Sequence, residues 1–369
     1  MNDVRIAAMD QISALGLGLD PLMGLTPLDA AKQDAWYPHI KLTEVTGEIA
    51  PTSVKASDLR QMDNLTQVTV ACAERVVNAS AVATDEIDPQ RLAVIIGSAF
   101  GCTSANHDFL ETFLQKGARF VKPVVFRNTV SNAVAGHLAV TLGFKGANSV
   151  INSGMVSGLQ ALAYAFEEIR HGHCDAALSG ASDWSSDVMV KRYAEAARHE
   201  SAGQFPLMDG ACLMLLAKPE RASASPWSMA GYSLGYGNAA DSSARLERML
   251  NRALDNAGLE FDALDAVVLH GNATACWFKA QAENIGIGDV CRRMAADGVL
   301  TGSENTAVPS MLALAETLRA LPTQRSPKLF ATADADSVMA LSTTPKHVAF
   351  VSSGADGGMV VLMFTYHGA

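Results

Sequence analysis

Short apolar runs recur along the chain, most of them closed by glycine or serine. They are RLAVIIGSAFG (Arg91–Gly101), NSVINSG (Asn148–Gly154), CDAALSGAS (Cys174–Ser182), GACLMLLAKPE (Gly210–Glu220), DAVVLHGNAT (Asp265–Thr274) and HVAFVSSGADGG (His347–Gly358), the last running into MVVLMF. The apolar residues are continuous and do not alternate with polar ones, which predicts strands buried on both faces. Between them lie segments with apolar residues three and four apart: Leu59–Ala79, Ser243–Gly258 and Ser310–Leu321. That period predicts amphipathic helices, with Asp or Gly at their ends as caps. Strands alternating with helices mean an α/β chain with a largely parallel sheet.

The two halves read alike. Each opens on a strand, VRIAAMDQIS and then SMAGYSLGYG. Each has a helix followed by a strand ending near the middle, VIIGSAFG and then VVLHGNAT. Each closes on a pair that looks antiparallel: DAALSGAS with ACLMLLAKPE, and VAFVSSGADGG with VVLMF. The period is much longer than that of a solenoid repeat. The expectation is one duplicated α/β unit packed as a layered sandwich, residues 1–222 and 223–369, with the break near residues 221–227. SASPW (Ser223–Trp227) and PTQRSPK (Pro322–Lys328) have the composition of surface connections.

Composition narrows the function classes. The chain has 369 residues, 49% hydrophobic and only 18% charged, enough for a large buried core and unlike a disordered chain. The net charge of −10 speaks against nonspecific nucleic-acid or anionic-membrane binding. Six cysteines, Cys72, Cys102, Cys174, Cys212, Cys276 and Cys291, lie far apart with no CxxC pair, so no metal site is expected. The N-terminus lacks a signal-peptide pattern and no apolar run is long enough for a membrane span. Free thiols in a reducing cytoplasm are expected.

The segment SVINSGMVSGLQALAYAFEEIR (Ser149–Arg170) reads as buried strand, tight turn and amphipathic helix. A nucleophile often sits at such a turn, where the helix dipole favours an anion. Here the turn carries Met155, a thioether that cannot attack a carbonyl.

Set beside these residues, the whole chain resembles the β-ketoacyl synthases. The matching pieces are SALGLGLD (Ser13–Asp20), RQMD (Arg60–Asp63), GSAFG (Gly97–Gly101), SNAVAGHLAVTLGFKGAN (Ser131–Asn148) and SGLQALAYAFEEIRHGHCDAALSGASD (Ser157–Asp183). The resemblance implies a duplicated thiolase fold, an αβαβα sandwich with two mixed sheets. It also implies a cysteine that takes the acyl chain, two histidines, a lysine and a phenylalanine gate loop. Placed on this chain, the cysteine is Met155 and the first histidine is His270 in VLHGNAT. The second histidine falls at Glu304 and the lysine at Val299, and the gate loop becomes Ser353-Gly354-Ala355-Asp356. Members of one catalytic unit fail together, so condensation by this chain is not expected.

Bland readings are favoured at the other conspicuous residues. His270 fits a structural histidine at a strand end better than a relic base, and His137 fits helix packing. Cys276, beside Trp277 and Phe278, fits an inert thiol. Ser157 does not stand in a G-x-S-x-G elbow. Glu304 fits a solvent-facing or ion-paired side chain, and His171 and His173 fit a helix end.

The resemblance then implies a partner. In type II polyketide systems a chain length factor lacks the cysteine and pairs with an active ketosynthase. The strand before the cysteine pairs across the two-fold axis, here Ser149–Ser153. Phe126, Arg127, Ser149, Ile151, Ser153 and Met155 are the interface and acyl-tunnel candidates. An acyl carrier protein would bring the phosphopantetheine-bound chain, and no cofactor is expected. The compact chain looks like the factors of aryl polyene and related highly reducing systems. Two alternatives stand: a malonyl-carrier decarboxylase or acyltransferase variant, and a homodimeric scaffold.

Overall fold

The computed structural model describes residues 3–13, 16–19, 32–33, 41–43, 45, 49–191, 207–237, 242–270, 299–300, 306–323, 343–354 and 356–368. Ten strands carry the architecture: β1 (Val4–Ser13), β2 (Leu92–Gly97), β3 (Asn148–Ile151), β4 (Ala176–Asp183), β5 (Gly210–Ala217), β6 (Trp227–Tyr236), β7 (Ala266–His270), β8 (Val299–Leu300), β9 (His347–Ser353) and β10 (Gly358–Tyr366). The main helices are α1 (Asn64–Ala79), α2 (Thr103–Lys116), α3 (Ala133–Leu142), α4 (Ser157–Arg170), α5 (Ser242–Ala257) and α6 (Val308–Ala320).

The strand order is β3-β2-β4-β5-β1 in one half and β8-β7-β9-β10-β6 in the other. Numbered within each half, both orders read 3-2-4-5-1, so the halves repeat one topology. A short antiparallel ladder, Val4 to Met229 and Arg5 to Ser228, joins them edge to edge. Each half is mixed. β2 runs parallel to β3 and β4, and β7 runs parallel to β8 and β9, while β4–β5 and β9–β10 are the predicted antiparallel pairs.

Five layers follow from which faces are apolar. α4 and α6 lie in the middle. α4 packs on β2 and β4 on one side and on β10 on the other, and α6 packs on β4, β5 and β7. α6 is buried along nearly its whole length and α4 over its first two turns, Ser157–Ala163, with the polar end of α4 reaching the surface. Their core joins Ile95, Leu159, Phe166, Met311, Phe350 and Phe364 from both halves. Outside one sheet, α1 and α3 cover Val94, Ile96, Leu213 and Leu215. Outside the other, α5 covers Val267, Val351, Val361 and Met363. β2, β4 and β5 are buried on both faces, as their continuous apolar runs predicted, whereas β3, expected to be buried, is exposed at Asn148 and only half-buried beyond it.

Three boundaries differ from the sequence pattern, each for a local reason. The helix expected over Leu59–Ala79 is broken, because the Asp63 side chain accepts the Thr66 N–H at 2.9 Å and starts α1 at Asn64. β2 ends at Gly97, where a Cβ would fall 2.2 Å from the backbone of Ser157 at the start of α4. β5 stops at Ala217, before Pro219, which has no N–H for a ladder.

Candidate functional site

The turn between β3 and α4 is built from glycine and hydroxyl chemistry. Gly154 takes φ +83°, the left-handed region that other residues avoid. Ser157 is fully engaged: its hydroxyl accepts from the Ser153 N–H at 3.0 Å and donates to the Gly154 carbonyl at 2.5 Å. Both hydrogen bonds hold the turn together. The Ser153 hydroxyl donates to Gln160, and the Tyr236 hydroxyl reaches across from β6 to the Ser153 carbonyl.

Met155 sits half-buried at the helix entrance. Its backbone N–H donates to the Asp356 carboxylate at 3.0 Å, a contact across 201 positions of sequence. The second carboxylate oxygen accepts from the Gly358 N–H at 3.0 Å. Three glycines leave room for the carboxylate. A Cβ on Gly154 would lie 1.7 Å from it, one on Gly354 2.5 Å, and one on Gly358 3.2 Å. The resemblance marked this loop for its missing phenylalanine and passed over the aspartate.

His270 ends β7, and its Nδ1 lies 3.0 Å from the Ser352 hydroxyl of the parallel neighbour β9. Its ring stacks on Phe350 at 6.4 Å between centroids. With 3% of its surface exposed, burial pushes its pKa down to about 4, so the imidazole is neutral at neutral pH. Glu304 and Cys276 lie outside the described residues, and so do the side chain of Val299 and Ala355 of the gate-loop segment.

His137 Nε2 lies 3.3 Å from Asn128 Oδ1, and burial followed by the Arg127 charge lowers its pKa. It borders a surface cavity of 640 Å³ with Lys55, Arg127 and Val140. His171 and His173 contact Glu167 and Glu168 at 2.9 and 3.3 Å. Cys72, Cys174 and Cys212 are buried free thiols, and burial raises the pKa of each. Among the described residues no cluster has metal-site composition, and no helix is long and apolar enough to cross a membrane.

The interface candidates lie along β3, in the turn after it and in the short helical segment 123–129. Among the described residues β3 is the last strand of its half-sheet and pairs only with β2. Ser149, Ile151 and Ser153 are half-buried along it and in the turn that follows. Phe126 is 58% exposed, its ring 5.5 Å from Phe109 of α2, and Arg127 beside it is exposed. α2 shows Leu110, Phe113 and Leu114 to the outside, and Val140 of α3 is 85% exposed. α3 abuts β3 through the Asn148 side-chain amide, which donates to the Ala135 carbonyl at 2.8 Å.

Comparison with known proteins agrees with this geometry. Residues 48–205 match the family model "Beta-ketoacyl synthase, N-terminal domain". A 3-oxoacyl-[acyl-carrier-protein] synthase 2 of Vibrio cholerae is 24% identical over 253 residues, 62% of this chain and 61% of its own. The chain spans less than two thirds of the length of the first curated relatives it matches. The solved ishigamide ketosynthase/chain length factor superposes with a TM-score of 0.74 at 20% identity, covering 99% of this chain and 100% of that one. A chain of the solved complex of a type II polyketide acyl-carrier protein with its ketosynthase superposes with a TM-score of 0.76 at 17% identity, with 99% and 100% coverage. The chain thus has the ketosynthase fold, and residues 48–205 match the β-ketoacyl synthase N-terminal domain.

Proposed function

We propose that the chain is the noncatalytic chain length factor of a type II polyketide system. It pairs with an active ketosynthase and shapes that partner's acyl tunnel. The observation that carries this reading is an intact nucleophile seat holding Met155 directly after β3, a strand with an open edge. A fold maintained this closely around an unreactive side chain retains its use as a surface. The edge of β3 offers backbone N–H and C=O groups to a second strand. The exposed apolar residues Phe126, Leu114 and Val140 would be covered by such a partner.

The partner is a ketosynthase that supplies the cysteine, and the growing chain arrives on the phosphopantetheine arm of an acyl carrier protein. The ishigamide and carrier-protein complexes support this pairing by likeness of fold. Phe126, Arg127, Ser149, Ile151, Ser153 and Met155 are the proposed interface and tunnel residues. An aryl polyene or related highly reducing product suits the compact chain. The cytoplasm, where carrier proteins are loaded, is the proposed compartment.

Co-purification tests the reading. The tagged chain is expressed alone and together with a type II ketosynthase from the same source, and mass and condensing activity are measured. A one-to-one heterodimer, active only while the partner keeps its cysteine, is the expected result. A stable homodimer that ignores the ketosynthase would replace this reading with the scaffold. Malonyl-carrier turnover by the chain alone would replace it with the decarboxylase.

A further inference from the structure

Two aspartates occupy matching places in the duplicated fold. Asp183 is the last residue of β4, the fourth strand of its half. It accepts the Ala307 N–H, at the start of α6 in the other half, at 2.6 Å. Asp356 follows β9, the fourth strand of the second half. It accepts the Met155 N–H, just ahead of α4 in the first half. Each half thus sends one carboxylate to the N-terminal end of the other half's central helix.

We propose that Asp356 is a built-in anion that occupies the oxyanion-binding position of the seat, so that the chain closes its own degenerate site. Three observations converge. The donor that would face a developing oxyanion, the Met155 N–H, already carries a carboxylate oxygen at 3.0 Å. The carboxylate is fixed from its other side by Gly358, and the cradle of Gly154, Gly354 and Gly358 accepts it only because none of them has a Cβ. Asp183 likewise accepts an N–H at the start of α6, from a buried position with four donors where the exposed Asp356 has two, which makes Asp356 one of a pair of cross-half clasps.

The consequence is chemical. A helix N-terminus with an open N–H lowers the pKa of a thiol placed there. With a carboxylate on that N–H the effect reverses, and a thioester oxygen entering the seat would meet negative charge. Asp356 keeps acyl groups out of this subunit's seat and ties the β9–β10 turn to the start of α4. The inference goes beyond the chain length factor reading and holds whether or not a partner binds.

The test reads the seat directly and uses the chain alone. M155C, M155C/D356G and M155C/D356N are alkylated with iodoacetamide over a pH series. Modification at position 155 is followed by peptide mass spectrometry, which separates it from the natural thiols. In M155C the thiol should titrate at or above about 8.5, the ordinary cysteine value. In M155C/D356G the midpoint should fall by about one unit or more, with alkylation at pH 7 about tenfold faster. M155C/D356N, which keeps the shape and removes the charge, should shift the same way. Equal midpoints in the three proteins would overturn the proposal. If D356G does not fold by thermal unfolding, D356N decides alone. Neither result depends on the co-purification, so the two readings fail separately.

Discussion

His270 is the one histidine that the ketosynthase resemblance keeps in place, and its surroundings decide its use. A catalytic imidazole works best with a pKa near the operating pH. His270 is buried against Phe350 and Ser352, and burial lowers it to about 4. The neutral ring therefore contributes stability that is present above its unfolded value of about 6.5. That stability is lost as the pH falls from there through 4. NMR of the ring resonances should show no titration between pH 8 and 5.5, and a midpoint between 6 and 7 would restore the relic base. At this scale the sequence is legible where chemistry is missing. Met155 stands out because a thioether cannot replace a thiol at a helix entrance. Asp356 does not stand out. Its meaning depends on a Met155 contact 201 residues away and on glycines from both sides of the turn, which no local pattern displays.

Among the elements, β3 most directly joins fold to function. In a parallel ladder the backbone groups of alternate residues face one neighbour. The Ser98 N–H donates to the Ile151 carbonyl, so Ile151 and Ser149 face β2, and the groups of Val150 face the open edge. V150P therefore removes an outward donor and leaves the internal ladder whole. The chain's thermal midpoint should change little, while affinity for the ketosynthase falls about tenfold or more, roughly 1.4 kcal/mol. Light scattering and titration calorimetry of both proteins read the two quantities. Undiminished affinity in V150P would move the interface away from β3. Strands such as β2 and β5 were legible because apolar runs report burial on both faces. The edge position of β3 was not, since its run resembles the others and only strand order places it last.

The whole molecule is two copies of one topology, and its stability depends on the groups that cross between them. Strand pairs and the repeat are visible in the sequence because each half must satisfy the same burial pattern. The cross-half clasps are not, since each joins the end of one strand to a helix far along the chain. Asp183 is fully enclosed, with hydrogen bonds from the Ser98 hydroxyl and the N–H groups of Ala99, Phe100 and Ala307. Burial pushes its pKa up to about 6, against the pull of those four donors. A folded pKa above the unfolded value means that the native state holds the proton more firmly. The stability Asp183 contributes is therefore fully present below about 4 and is lost as the pH rises through 6. The shift corresponds to about 3 kcal/mol at most. Other carboxylates act in the opposite sense. Hydrogen bonding to Arg91 holds Asp175 well below the usual range, with Lys218 adding to it. Glu74 is also lowered, because hydrogen bonds from Ser53 and Thr52 outweigh its burial. Those groups lose stability on acidification, in D183N as in the unaltered chain, and so cancel in a comparison of the two. D183N should be clearly the less stable protein at pH 5, where its removal forfeits a favourable proton. The gap should narrow by pH 7.5, where the charged carboxylate is costly. Thermal unfolding at half-unit pH steps reads this gap, and a gap independent of pH would show that Asp183 is ionised throughout and that its four hydrogen bonds outweigh its burial.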